Sequence, residues 1–420
     1  MVDVICLFED KSFSQLLPLV YFRPTYDLRC GILTLREKFQ YYFPKSKFIL
    51  NCRNYLQEFV SESNPKTIVN QMNYDSVLFI NGRVIAESKL AKQLKINEDT
   101  LFTHKGQIVA AKLSKGNLLS FKDKMHDFLD LTDLNHLPAK EIDVSVINYP
   151  WDLVSNNGAQ IVSDFNLLTG TLKGKKLRGK VYPGVSLLNK KQIFIDSGTT
   201  VKPGVVLDAE GGPIYIGKDV KIFPNAVIEG PAFIGDKSAI KIGAKIYENT
   251  SIGEVCKVGG EVEGTIIHSY SNKQHDGFLG HSYLGMWVNL GADTNNSDLK
   301  NNYGNVKVII DGNQIDSGSM FVGLTMGDHS KSAINTMFNT GTVVGVSSNV
   351  FGSGFPPKYI SSFSWGGSDI ISTYELQKAL SVAKRVMARR KVTLTEAEEK
   401  IFHKVFELTK SERERFNTNK

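Results

Sequence analysis

Counting in sixes along the 420-residue chain from Ile216 gives Ile216, Ile222, Ile228, Ile234, Ile240, Ile246, Ile252 and Val258, an unbroken aliphatic column. Four places after each stand Val220, Ala226, Ala232, Ser238, Ala244, Thr250, Cys256 and Val262, small or β-branched every time. This is the hexapeptide repeat of a parallel β-helix, in which each hexad supplies a short flat strand and a corner. Stacked coils bury a continuous core that no single repeat could bury alone. The register extends back through Ile195, Val201 and Leu207, with a slip at Glu210-Gly211-Gly212-Pro213. A weaker continuation runs through Val322, Ile334 and Val346 with Thr340 between, so the prism is predicted over about 181–352. Its period lapses between Gly264 and Asn289, and that lapse is where chemistry is expected.

The pattern before the prism is different. Val4-Ile5-Cys6-Leu7-Phe8, Phe48-Ile49-Leu50 and Val77-Leu78-Phe79-Ile80 are short apolar runs suited to buried parallel strands. Between them Ile32-Leu33-Leu35-Phe39 and Leu56-Phe59-Val60 have helical spacing. Alternation of this kind predicts an α/β sheet, whose ligands bind beyond the carboxyl ends of the strands, near 9–29 and 81–83. After the prism, Ser372 with Glu375 and Thr395 with Glu398 have capping-box spacing, and Ile401-Phe402-Val405-Phe406 forms an apolar stripe. Two helices are expected there, with the stripe as a packing face.

Composition narrows the setting without naming the chemistry. The formal charge is +7, and residues 373–420 hold twelve Lys or Arg against seven Asp or Glu. Such a tail most simply reads as the solvated face of a helix, since no aromatic residues interleave with it to stack bases. Cys6, Cys30, Cys52 and Cys256 have neither disulfide nor metal spacing, which suits a reducing, cytoplasmic setting. No apolar run is long enough to cross a membrane, and the start MVDVICLFEDK does not resemble a signal peptide.

Within and beyond the lapse, Gly280-His281-Ser282-Tyr283-Leu284-Gly285, Val288-Asn289-Leu290-Gly291-Ala292-Asp293-Thr294, Asn302-Tyr303 and Lys307 follow one another in order. They resemble the acetyltransferase half of the bifunctional UDP-N-acetylglucosamine pyrophosphorylase/glucosamine-1-phosphate N-acetyltransferase family. Near the start, residues 16–38 around Phe22-Arg23-Pro24-Thr25 look like a divergent sugar-nucleotidyltransferase opening, with Arg-Pro where most relatives have Lys-Pro. Asn81-Gly82-Arg83 and Pro150-Trp151-Asp152-Leu153 fit a Bacteroidetes-type variant whose short nucleotidyltransferase-like domain precedes the prism. The resemblance implies a left-handed coil and three segments: a Rossmann-like nucleotidyltransferase-like domain over 1–153, a left-handed β-helix acyltransferase domain over 154–370 and C-terminal helices over 371–420. It further implies a homotrimer with active sites between subunits, acetyl-CoA as co-substrate, an amino sugar phosphate such as glucosamine-1-phosphate as acceptor, and UTP with Mg²⁺ for the first domain. Neither nucleic acid nor a membrane is expected as a partner.

Acetyl transfer to an amine requires the ammonium to lose a proton, so a base that titrates near neutrality is favoured, and histidine is the natural side chain. By the resemblance His281 is that base, Tyr283 lies near the sugar, and Asn289 holds the N-acyl region or the base. Ala292 lies against the pantetheine arm, and Asn302, Tyr303 and Lys307 bind sugar and phosphate. Backbone N–H groups of 283–285 would stabilise the oxyanion. Here only Ser282 separates His281 from Tyr283, one residue fewer than in the family, which makes His275 a rival base. The insertion Asn296-Ser297-Asp298-Leu299-Lys300 and the lack of a Lys near Glu263-Gly264-Thr265 are further departures.

The first domain departs more. Glu9-Asp10-Lys11-Ser12-Phe13-Ser14-Gln15 stands where relatives have a Gly-rich loop, and Asn81-Gly82-Arg83 where they place a metal-binding Asp. Arg23, Arg29, Lys38 and Asn81, with Arg36, are the candidate nucleotide ligands, and Asp10 and Asp152 the substitute metal ligands. Two alternatives stand beside the enzyme: a non-catalytic regulatory, scaffold or nucleotide-sensing protein, and a carbonic-anhydrase-like β-helix with zinc on His268, His275 and His281.

Overall fold

The computed structural model describes residues 4–417 apart from 123, 126 and 171–175. The first segment is a seven-stranded sheet in the order Ile68–Val69, Lys47–Leu50, Val4–Phe8, Ser76–Asn81, Gln107–Ser114, Thr100–His104, Ala139–Glu141. The three apolar runs of the sequence all form strands here, and those strands pair in parallel. Gln107–Ser114 then joins antiparallel to Ser76–Asn81, giving a Rossmann-like sheet with a reversed edge. The helices Leu35–Tyr42 and Gln57–Ser63 follow the predicted spacing, the first closed by a capping box between Thr34 and Glu37.

The second segment is a left-handed parallel β-helix with three faces. Ile216 pairs with Ile234 and Ile234 with Ile252, so three hexads close one coil. The column from Ile216 to Val258 is buried throughout, and so is every small residue that follows it by four. What distinguishes the faces is the outward row. On the first face Phe194, Phe233, Ser251, Ile266 and Tyr283 point away from the core and are nonetheless buried. Ile32, Ile161 and Phe165 of the N-terminal segment cover Phe194 and Phe233. Burying such an aromatic side chain contributes about 2–3 kcal/mol, which is why the sheet domain docks on this face. The second face carries Thr200, Lys221, Ala239 and Lys257 outward, and the third Val206, Val227, Lys245 and Glu261.

Beyond Val258 the period shortens without the coil breaking. Val262, Ile267, Lys273, Leu279 and Leu284 take the inward positions in turn, so the predicted lapse is a change of corner length. Lys273 replaces an aliphatic residue there, with Nζ donating to the carbonyls of Gly259 and His275 at 3.2 and 3.0 Å. An excursion over 297–322 follows, containing the hairpin Lys307–Ile310 and Asn313–Asp316. It leaves the phase unchanged, since Leu284, Leu290 and Asn296 before it and Met326 after it keep steps of six. The inward column afterwards is Met326, Ser332, Phe338, Val344 and Val350, whereas Ile334 is 68% exposed. The predicted column Val322, Ile334, Val346 is therefore out of step at Ile334, and strands continue past 352 to Ser364–Gly366.

The helix Pro150–Thr169 ties sheet to prism. Asn157 donates to the Asn249 carbonyl at 2.8 Å, and a Cβ on Gly158 would run into the Asn249 side chain. The C-terminal segment forms Leu376–Ala388, Glu396–Leu408 and Lys410–Phe416. Thr395 and Glu398 make the expected capping box, but Ser372 lies in the strand Ile371–Thr373 and caps nothing. The apolar stripe is a packing face: Phe402 meets Phe22 at 4.7 Å and Phe406 meets Phe363 at 5.0 Å. Among the described residues no helix is long and apolar enough to cross a membrane.

Candidate active sites

His281 stands at the corner between the third and first faces, after the strand Phe278–Gly280, with φ +44°. Its Nδ1 lies 2.8 Å from Asp298 Oδ2, and its side chain is 27% exposed. Phe321 tilts against the ring at 4.9 Å. Both Asp298 and Phe321 come from the 297–322 excursion, so the insertion that departs from the family pattern supplies the partner of the histidine. With Nδ1 engaged, Nε2 is the nitrogen left to exchange a proton. Gly264 keeps that edge open: a Cβ there would sit 3.2 Å from Nε2, at a φ of +50° that L side chains rarely adopt. Glu263 lies close enough that His281 lowers its pKa, while burial raises it more.

Other expected members of this site are placed elsewhere in the chain. Tyr283 is buried on the first face, its hydroxyl accepting the Arg29 backbone N–H at 3.0 Å, and burial pushes its pKa up. Asn289 bridges Asn272 and Lys331 on the second face, on the far side of Tyr283–Leu284 from His281. Ala292 follows it, its carbonyl accepting the Asn335 N–H at 2.8 Å. Asn302, Tyr303 and Lys307 are exposed on the excursion, where Asn302 caps the Gly304 N–H. The N–H groups of Tyr283 and Gly285 donate to the Leu324 and Met326 carbonyls at 2.8 Å, which takes them from an oxyanion.

The three histidines occupy three different corners of one coil. His268 follows the first face and is buried, with Nε2 on the Asp27 carbonyl at 3.1 Å. His275 is exposed after the second face, and His281 follows the third. They do not converge, and among the described residues no group of three His, Cys, Asp or Glu side chains could hold a metal ion.

In the sheet domain the candidate cations are already partnered. Lys38, fully buried, reaches both Asp164 oxygens at 2.5 and 2.6 Å. Arg29 makes two 2.8 Å bonds to Glu254 of the prism, and Arg23 reaches Asp328 at 2.7 Å. Arg36 pairs with Asp27, whose carboxyl burial pushes up to about 6. Beyond the strand ends, Asn81 Nδ2 and Arg83 Nη2 both donate to Asp10 Oδ2 at 2.8 Å. Arg83 Nη1 reaches Asn148 Oδ1, and Asp152 accepts the N–H groups of Asn148 and Tyr149 at the start of its helix. A guanidinium thus lies on the path between Asp10 and Asp152, where a shared cation would have to sit. These residues do not fit a divalent metal.

Residues 5–172 match the family model described as Sugar nucleotidyl transferase. That match takes in the sheet segment, runs through the whole helix Pro150–Thr169 and covers less than half of the chain. The chain is also related to bifunctional enzymes: it is 25% identical over 241 residues to "Bifunctional protein GlmU" of Bartonella quintana, covering 53% of this chain and 50% of that one. It is 27% identical over 235 residues to the "Bifunctional sugar-1-phosphate nucleotidylyltransferase/acetyltransferase" of Sulfurisphaera tokodaii, covering 53% and 51%. The chain thus spans about half the length of these relatives. Among solved structures, the UDP-N-acetylglucosamine acyltransferase of Francisella novicida aligns with 13% identity and a TM-score of 0.30, over 56% of this chain and 87% of that one.

Asp298 is the partner of the candidate base that sequence reasoning missed. Its signal was the insertion itself, since a loop added beside a candidate base is a source of new partners for it.

Proposed function

We propose that the chain is an acetyl-CoA-dependent N-acetyltransferase acting on an amino sugar phosphate, with glucosamine-1-phosphate as the substrate to try first. The observation that carries this reading is the His281–Asp298 pair with its open Nε2. Asp298 holds the ring so that Nδ1 keeps its proton and Nε2 faces out as the base. As the ammonium gives its proton to Nε2, the carboxylate stabilises the imidazolium that forms. The freed amine attacks the thioester carbonyl, and the thiolate leaves. In this reading Tyr283 acts as a structural residue under the sheet domain, while Asn289, Ala292, Asn302, Tyr303 and Lys307 reach a His281 site only from another copy in a homotrimer. We take the first segment as running through the helix Pro150–Thr169 rather than ending at 153, the prism as continuing to 370 and the C-terminal helices as 371–420, and the location as cytoplasmic, which the four free, buried cysteines support.

For the segment that matches the sugar nucleotidyl transferase model, the pairing of Arg23, Arg29 and Lys38 with carboxylates favours a structural role over nucleotide binding or uridylyl transfer. One paired assay separates the readings. Free thiol is measured with glucosamine-1-phosphate and acetyl-CoA, and pyrophosphate with N-acetylglucosamine-1-phosphate, UTP and Mg²⁺. Thiol release that His281→Ala abolishes is expected, with no pyrophosphate. Absence of thiol release across several amino sugars would sink the acetyltransferase reading, and pyrophosphate release would overturn the second.

A further inference from the structure

Where the helix Leu376–Ala388 ends against the second face of the prism, a pocket of about 350 Å³ is lined by Lys257, Lys331, Arg389 and Arg390, with Asn272 and Asn289 between them. No carboxylate lines it. Lys38, Arg53 and Arg23, by contrast, each meet a buried carboxylate, and the lone buried ammonium of Lys273 is held by carbonyls with no second cation beside it. In the pocket the nearest groups are neutral or like-charged. Lys331 Nζ donates to the His329 carbonyl at 2.8 Å, and Arg390 Nη2 to Asn272 Oδ1 at 2.8 Å. Burial holds Lys331 down at about 8, and Lys257 is lowered by burial and then by Arg390, Lys241 and Arg389. Gathering four like charges in a partly enclosed space costs free energy that only an anion returns. Two guanidinium forks and two ammonium groups suit the several oxygens of a phosphate better than a single carboxylate.

We propose that this pocket binds the phosphate of a phosphorylated ligand, with Lys257, Lys331, Arg389 and Arg390 as its counter-ions. The pocket is defined by charge and volume on a face that His281 of the same copy does not share, and through Asn289 it rests on the proposed function only where a homotrimer brings that residue to another copy's His281. Its ligand is a phosphate ester from either a nucleotide coenzyme or a sugar nucleotide, and binding distinguishes the two.

The test is calorimetric titration of the full chain with pyrophosphate, coenzyme A, dephospho-coenzyme A and UDP-N-acetylglucosamine, for wild type, R389A/R390A and R389K/R390K. Wild type is expected to bind at least one of these, with affinity falling as salt rises. R389A/R390A should bind at least about tenfold more weakly, since each charge-assisted contact is worth that much, and R389K/R390K should recover part of it. Arg389 is exposed at the helix end, so an unchanged melting temperature checks that the variants fold. A preference for coenzyme A over its dephospho form identifies the coenzyme as the source, and a preference for UDP-N-acetylglucosamine identifies the sugar nucleotide. No binding by wild type, or equal affinity in wild type and R389A/R390A, overturns the proposal.

Discussion

The two candidate sites differ in what their charges are doing. At the carboxyl ends of the sheet strands Glu9, Asp10, Arg53 and Arg83 are joined into hydrogen-bonded pairs, with Glu9 accepting from Arg53 and from the Thr25 N–H. Each group there has its partner inside the protein, and a ligand would have to break one to bind. At His281 the opposite holds. One nitrogen is anchored on Asp298, and the other lies beside Gly264, which has no side chain to cover it, with Glu263 nearby. A fold can retain the outline of a ligand site after its charges have become struts, and the count of charged residues does not distinguish the two conditions. Partner geometry does.

The comparison can be broken most sharply at its two central residues. His281→Ala should lower acetyl transfer by about 10²–10⁴-fold, the usual worth of a positioned base, and leave the melting temperature unchanged. Lys38→Met should do the reverse. It strands Asp164 in the interior and should cost about 3–5 kcal/mol in denaturant unfolding. If Lys38→Met is fully stable but inactive in a nucleotide assay, the strut reading of the sheet domain fails. Asp298→Asn comes next, with a loss of roughly 10²-fold in transfer and a small change in stability, because the ring loses its orienting charge and keeps its place.

A smaller effect concerns pH. Asp27 sits between the domains with a carboxyl raised from 3.8 to about 6. Because the folded pKa lies above the unfolded one, the folded state holds more protons between roughly pH 4 and 6, and stability declines as pH rises through that window. Comparing unfolding of wild type and Asp27→Asn at several pH values should show the slope in wild type alone. The smallest expected change is at Ile334. Exposed as it is, Ile334→Ser should alter stability by no more than about 0.5 kcal/mol, where Ile234→Ala in the true column should cost about 2–5 kcal/mol.

Much of this was legible in the sequence, for identifiable reasons. The column Ile216–Val258 could be read because its corners are all one length, so that period alone fixes the inward face. Ile334 could not, because the shortened corners between Val258 and Leu284 had already moved the inward phase off the column set by Ile216. Lys273 was hidden for a different reason: its stem fills an aliphatic position and its ammonium finds carbonyls at the corner, which no hydropathy pattern anticipates. His281 stood out by its motif, but Asp298 is seventeen residues away and meets it only through the excursion. The outward apolar row of Phe194, Phe233, Ile266 and Tyr283 was visible all along, one residue before the inward aliphatic on every third hexad. It needed the knowledge that something covers it.

That cover restricts how copies of the chain can meet. Roofed by its own sheet domain, the first face offers a neighbour no strands, so an assembly that packs prism on prism must use the remaining two. Those two differ in net sign, with Lys221 and Lys257 outward on one and, around Lys245, Glu229, Glu261 and Glu263 on the other. Like against like would set charge against itself, whereas unlike against unlike gives every contact a direction. A directional contact has no natural end at two members. It either closes on itself as a ring, with the roofs turned outward around a hub of bare edges, or it does not close at all.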